Sequence, residues 1–354
     1  MTPAALRPVP SRPIGVRLCD VKPEPVSWLW PSRVPMGKFA LLDGDPGLGK
    51  TLVTLDLAAR VSRGLPLPDG APTAPAGVVL MTAEDGLGDT IRPRLEAAGA
   101  DLSRVLAVEY VPEANGGDHP PELPNDLPAL EDAVGEVGAA LVIIDPLVAY
   151  LAGATNANRD ADVRRALAPL AALASRLGVA IVGVRHLNKT ALGNPLYRGG
   201  GSIAFIGAAR AGLLVSKDPD DDSRRVLAMT KSNLAPMARA LSFTIDGASG
   251  VPRVRWLGSS NHTAAGLLAA AAGDSDERSV MAEAVEFLRS ALAGGPVPVN
   301  EIVRQARQLA VSERTLKRAR AALHVHSRKL SGIGGGWVLE LPAGREPGED
   351  DDAL

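Results

Sequence analysis

Eight consecutive residues, Gly44, Asp45, Pro46, Gly47, Leu48, Gly49, Lys50 and Thr51, carry the densest chemistry in this sequence. They match the pattern Gly-x-x-x-x-Gly-Lys-[Ser/Thr], the P-loop. The three glycines let the backbone turn closely and aim its N–H groups at phosphate oxygens. Lys50 offers a cation to β- and γ-phosphates, and Thr51 offers a hydroxyl to Mg²⁺. A second stretch, "ALVIIDP", ends an apolar run on Asp145, where a carboxylate can complete a magnesium site beside a P-loop. A third, "VVLMTAEDGLGDT", ends another apolar run on Glu84 and Asp85. Adjacent carboxylates at a buried strand end are costly unless they serve a site. Glu84 is the candidate to orient or deprotonate a water, with Asp85 the alternative. A fourth, "VAIVGVRHLNKT" (179–190), stops on Arg185, His186, Asn188 and Lys189. Alone, His186 fits a hydrogen-bonded strand end. Beside three other chemically equipped strand ends it joins them, because such ends converge on one crevice of an α/β sheet.

The elements that must position these residues follow from the hydrophobic pattern. Strands are expected at 38–44, 77–84, 141–146, 179–186, 211–218, 225–233 and 239–246, and helices at 50–62, 88–99, 126–137 and 161–177. Strands alternating with helices at this spacing predict an α/β core, a mainly parallel sheet with helices on both faces. We place this core at 26–257, after a flexible Pro-rich arm at 1–25. Residues 258–277 are small and polar at both ends and read as a linker. A segment of different character follows at 278–342: helices at 278–293 and 299–310, Ser312 as N-cap of a helix at 313–323, and strands at 325–330 and 336–341 flanking "SGIGGG". That order predicts a small C-terminal winged helix-turn-helix. Residues 343–354 form an acidic tail.

Composition narrows the rest. The 354 residues are 46% hydrophobic with a formal charge of −2, which makes no case for wholesale nucleic-acid binding. Gly (37) and Pro (29) show no repeat period, which argues against a fibrous chain. One cysteine, Cys19, excludes an internal disulfide framework and a Cys-based zinc site. The Pro-rich start lacks the apolar core of a secretory signal, and the longest apolar run carries Asp145 in its middle. The expectation is a cytoplasmic protein with no membrane partner.

In their order and strand-end placement, the P-loop, "TAED", "VIIDP" and "VRHLNK" resemble the RecA-like ATPases. Within them, the nearest likeness is to the RepA-type hexameric replicative helicases of plasmids and other mobile elements. The lead-in "WLWPSRVPMGKFALLDGDPGLGKT" and the C-terminal segment further resemble AAA-family ATPases of actinobacteria, their phages and plasmids. The resemblance implies ATP and Mg²⁺ as ligands, with Thr51 and Asp145 at the metal. It places Glu84 at the catalytic glutamate and His186 at the histidine that senses the γ-phosphate. Arg94, in "TIRPRL", falls at a family arginine shortly after that glutamate. Arg210, in "GGGSIAFIGAAR", resembles an arginine finger reaching a neighbouring subunit's nucleotide, and Lys231, in "MTKSN", lies where related helicases carry a Lys-x-Arg pair. The second position of that pair is Asn233 here, a departure from the two-cation clamp. A homo-oligomeric ring, a hexamer, is the implied assembly.

Two regions are candidates for DNA. The expected loops at 151–162 and 188–203 would face the channel of such a ring, where Lys189 and Arg198, with Tyr197, could track a single strand. Residues 278–342 hold ten Lys/Arg against five acids. Arg314, Lys317, Arg318 and Arg320 fall on or near the candidate recognition helix, and Arg328 and Lys329 enter the wing, a footprint for duplex phosphates. The expectation is a DNA motor of the replicative-helicase type. The alternative is an ATP-controlled, DNA-binding switch without strand separation; no acceptor pocket of a small-molecule kinase is recognisable.

Overall fold

The computed structural model describes residues 15–113, 116–153, 155–187, 203–248, 250–309, 311–329 and 336–342. Lys189 and Arg198, expected at the channel, lie outside the described residues, as does most of the 188–203 loop. Packing divides the chain into two compact units. The first takes in the described residues up to 187, with 203–215 and 223–261; the second takes in 216–222 and those from His262 onward.

The first unit begins with a short hairpin, β1 (Trp28–Trp30) and β2 (Val34–Pro35). Then come β3 (Phe39–Gly44), α1 (Lys50–Arg63), β4 (Gly77–Thr82), α2 (Arg92–Ala97) and β5 (Val105–Ala107). A small pair follows, β6 (Val111–Pro112) and β7 (Asp118–His119), before α3 (Leu127–Val137), β8 (Ala139–Asp145), α4 (Asp160–Leu177) and β9 (Ala180–His186). The series closes with α5 (Ala204–Ala208), β10 (Ala211–Asp218), β11 (Asp221–Ser232), β12 (Ala240–Asp246) and β13 (Arg253–Ser260).

Nine strands form one sheet in the order β13-β12-β11-β10-β3-β9-β8-β4-β5. The block from β10 to β5 is parallel, and beyond it β12 pairs antiparallel with β11 and β13 antiparallel with β12. Alternate residues of β3 explain why both faces are covered. Ala40 and Leu42 join a core with α1, while Phe39 and Leu41 join a second core with α3, α4 and α5. A strand apolar on both faces requires helices on both. The mainly parallel α/β core expected from the sequence is present.

The antiparallel extension is tied to β1 by aromatic contacts and to α1 by a hydrogen bond. Trp256 meets Trp30 edge-on at 6.1 Å and Phe243 at 5.2 Å. Its indole N–H donates to Asp56 on α1 at 2.8 Å, and Asp56 is itself held by Arg60 one turn on. The β1–β2 hairpin joins through Arg33, whose guanidinium lies over Trp30, pairs with Asp69 at 2.6 Å and donates to the Arg239 carbonyl.

The second unit holds α6 (Ala264–Leu292), β14 (Val297–Pro298), α7 (Val299–Gln308), α8 (Glu313–Ala322), β15 (His326–Lys329) and β16 (Trp337–Glu340). The three strands pair antiparallel in the order β14-β16-β15. Leu288, Ile302, Leu316 and Leu339, one from each of the three helices and β16, meet in its core. Ser312 caps α8 as expected, accepting from the Thr315 N–H at 3.1 Å. Before α6, His262 Nε2 lies 3.1 Å from Asp218, whose carboxylate also accepts from the Asp220 N–H.

One sequence expectation changes. Most of the stretch read as a linker, 258–277, is regular structure: β13 runs to Ser260 and α6 begins at Ala264. Thr263 caps the helix by accepting from the Gly266 N–H at 3.2 Å. The run "AAGLLAAAA" then has the helix propensity to continue it. Leu267 and Leu268 are buried.

Phe243 is fully buried beneath Trp256. Phe243→Ala should destabilise the first unit by about 3–5 kcal/mol, measured by urea unfolding followed through tryptophan fluorescence. An unchanged midpoint would count against the aromatic anchor.

Candidate functional site

The site is assembled by strand register. Gly44 at the end of β3 stands opposite His186 at the end of β9, and Asp145 at the end of β8 stands opposite Thr82 at the end of β4. Since β3, β9, β8 and β4 are adjacent and parallel, their carboxyl ends form one rim. Crevices at such rims are where ligands of α/β sheets bind.

The loop from Gly44 to Gly49 leads straight into α1, with Gly49 at the N-cap in the left-handed region (φ 87°). A side chain there would also strike Ile245, 2.8 Å from the position of a Cβ. Gly44 is tighter still, because its Cβ would sit 2.5 Å from the Val215 carbonyl oxygen. No side chain caps the start of α1. Its first N–H groups therefore remain available to an anion, reinforced by the positive end of the helix dipole.

Lys50 is 4% exposed, and its ammonium has three hydrogens. They go to the Gly44 carbonyl at 2.9 Å, the Asp45 carbonyl at 2.8 Å and His186 Nδ1 at 3.0 Å. Because an ammonium only donates, Nδ1 accepts and a neutral His186 carries its proton on Nε2. Nε2 in turn lies 3.7 Å from Glu84. Burial pushes the Lys50 pKa down, and the carboxylates of Asp145, Asp45, Asp43 and Glu84 work against that shift.

Thr51 donates its hydroxyl to Asp145 Oδ2 at 2.8 Å. Asp145 is 7% exposed, and burial raises its pKa despite the Thr51 hydrogen bond and the Lys50 charge. A hard divalent cation takes oxygen ligands of this kind, a hydroxyl and a carboxylate side by side. The buried, proton-hungry Asp145 carboxylate fits a cation that restores its charge balance. The donor set at Thr51 and Asp145 thus fits Mg²⁺, and the free helix N-terminus with Lys50 fits the phosphates of a nucleotide.

Glu84 and Asp85 differ in their partners. Asp85 is tied to Arg94 at 2.8 Å, whereas the Glu84 side chain is 62% exposed and faces His186. Arg210 and Lys231 sit elsewhere. The Arg210 N–H donates to the carbonyl of Phe39, the first residue of β3, at the opposite end of the strand from Gly44. Lys231 donates to the Ile206 carbonyl at 2.7 Å, and its pKa is lowered by burial and then by Arg210, so the two cations are neighbours. In the second unit Arg314, Lys317 and Arg318 are exposed on α8. Arg320 donates to Ser327 at 2.7 Å, Arg328 pairs with Glu340 at 3.4 Å, and Lys329 is exposed on β15.

One pair was missed in the sequence. Asp43 and Arg185 are register neighbours on β3 and β9, one residue before Gly44 and His186. Arg185 grips Asp43 through two hydrogen bonds, at 2.8 and 3.0 Å, and both side chains are buried. The guanidinium also lies over Phe205. The visible signal was a charge at the end of each of two apolar runs.

The family described as an AAA domain matches residues 7–191, just over half of the sequence. The chain belongs to it. It is also similar to DNA repair protein RadA of Halalkalibacterium halodurans, at 30% identity over 156 residues. That match covers 43% of this chain and only 28% of RadA. The nine-stranded α/β unit is the core of a RecA-like P-loop ATPase. No helix among the described residues is long and apolar enough to cross a membrane.

The raised pKa of Asp145 makes the folded chain the better proton acceptor, so stability falls as pH rises through that pKa. Asp145→Asn keeps the Thr51 contact and removes the buried charge. Without Mg²⁺ it should melt above wild type at pH 8, and the gap should close as pH drops through the carboxylate range. Differential scanning calorimetry across pH reads both.

Proposed function

We propose that this chain hydrolyses ATP with Mg²⁺ to drive a DNA motor, in the manner of the RepA-type replicative helicases of mobile elements. The observation that carries the reading is the Lys50–His186–Glu84 chain of contacts at one rim, beside Thr51 and Asp145. Bound ATP and Mg²⁺ would supply the phosphoryl group and a counter-charge for it. In this reading Glu84, exposed and facing His186, accepts a proton from water, while Asp85 stays paired with Arg94. His186 shares a hydrogen bond with Lys50, so moving Lys50 toward a phosphate frees Nδ1 and lets β9 respond. That makes it the candidate γ-phosphate sensor, at the head of the segment that continues into 188–203.

Arg210 and Lys231 support action between subunits. Phe39 lies five residues before Gly44, so at roughly 3.3 Å per residue Arg210 stands about 16 Å from its own P-loop along the strand. A cation so placed serves a neighbour's nucleotide in a ring, where such fingers raise rates by roughly 10³ or more. DNA as the partner is supported by the similarity to a DNA repair protein and by the second unit. We read that unit as a winged helix-turn-helix, because its helix, strand, helix, helix, strand, strand order and three-stranded antiparallel sheet have that arrangement. Arg314, Lys317 and Arg318 share one helix face and offer the phosphate footprint.

Lys50→Ala should abolish ATP turnover measured by phosphate release. Wild-type turnover should rise with single-stranded DNA, and assembled protein should displace a labelled strand. Turnover with neither effect would sink the motor and leave an ATP-controlled switch. Arg210→Ala subunits mixed into wild type should lower activity beyond simple dilution; a linear decline would remove the trans-acting finger.

A further inference from the structure

The second unit carries a feature that phosphate contacts do not use. Trp337, the first residue of β16, is 56% exposed, the one exposed tryptophan among the described residues. Beside it opens a cavity of about 460 Å³, lined by Pro298, Asn300, Arg320, Ser327 and Trp337 among others. Its polar groups are a guanidinium, an amide and a hydroxyl, and no carboxylate lines it. The guanidinium is steadied by its hydrogen bond to Ser327.

Register adds a second cation. Lys329 stands directly across from Trp337, and Ser327 lies two residues before Lys329 on the same strand. Directly opposed residues of an antiparallel pair share a face, as do residues two apart. Ser327, Lys329 and Trp337 are therefore on one face, with Arg320 bonded to its first member. Lys329 has no ion-pair partner among the described residues.

We infer that this cavity takes one unpaired nucleobase, stacked on Trp337, with Arg320 and Lys329 on the adjoining phosphates and Asn300 at the base edge. The chemistry selects the ligand. A flat π-face favours a planar ring, flanking cations favour an anionic tail, and an amide favours groups that both donate and accept. A base inside an intact duplex has no free face for the tryptophan, so the site prefers a single strand or a splayed end. This deepens the DNA reading above and rests on it.

The test uses full-length protein without nucleotide and two labelled probes, an oligo-dT strand and a blunt duplex, measured by fluorescence anisotropy over a salt series. Trp337→Ala should weaken oligo-dT binding by about tenfold, leave the duplex affinity alone and leave the salt slope unchanged. Trp337→Phe should retain most of the affinity, which separates stacking from a folding defect. Arg314→Ala with Lys317→Ala should show the opposite profile, a weaker duplex and a shallower salt slope. If Trp337→Ala binds both probes like wild type, or weakens both equally, the base pocket is wrong while the DNA reading stands. If wild type binds neither probe, the DNA reading and the pocket fall together.

Discussion

A buried ammonium with three hydrogens and three acceptors organises this protein's functional rim. Lys50 belongs to α1, yet its partners are two carbonyls of the preceding loop and a ring on β9. Those bonds tie loop, helix and neighbouring strand into one object. They also satisfy a charge that burial makes expensive. Any anion that recruits Lys50 competes with those contacts, so phosphate binding and the position of His186 are linked by valence. The linkage follows from counting donors and acceptors.

Beneath that rim lies the Asp43–Arg185 pair, one residue deeper on the same two strands. Breaking such a buried pair by removing one partner typically costs about 3–5 kcal/mol, because it leaves the other charge stranded. Its geometric value is register: two charges that must meet forbid β3 and β9 from slipping. A slip of one residue would move Gly44 off His186 and exchange the faces of every side chain on β9. Phe205 against the guanidinium extends the same constraint to α5.

Much of this was legible in the sequence for identifiable reasons. Parallel strands covered on both faces read as unbroken apolar runs, so β3, β9 and β10 sit within a residue of their expected bounds. The P-loop announces itself because its glycines answer backbone demands that other residues cannot meet. What escaped notice depends on distance in sequence or on weak local signal. Asp43 and Arg185 are 142 positions apart, and nothing local to either names the other. β5 has three half-buried residues, too few for a period to show. β13 alternates exposed and half-buried residues, with Arg253 and Arg255 outward and Val254 and Trp256 inward, a pattern weaker than the apolar runs that marked the core strands. The helix α6 was obscured by Gly273 and its polar neighbours; the alanine-rich run and the Thr263 cap outweigh them.

The two margins of the great sheet carry their own consequence. One ends in β5, three residues long, and the other in β13, whose outward positions include Arg253 and Arg255. Short or charged margins resist the addition of a foreign strand. Copies of this chain are thereby steered away from fusing their sheets into a continuous ribbon. Any association between copies is then left to side chains on loops and helices, where contacts can be made and released without rebuilding a hydrogen-bonded ladder.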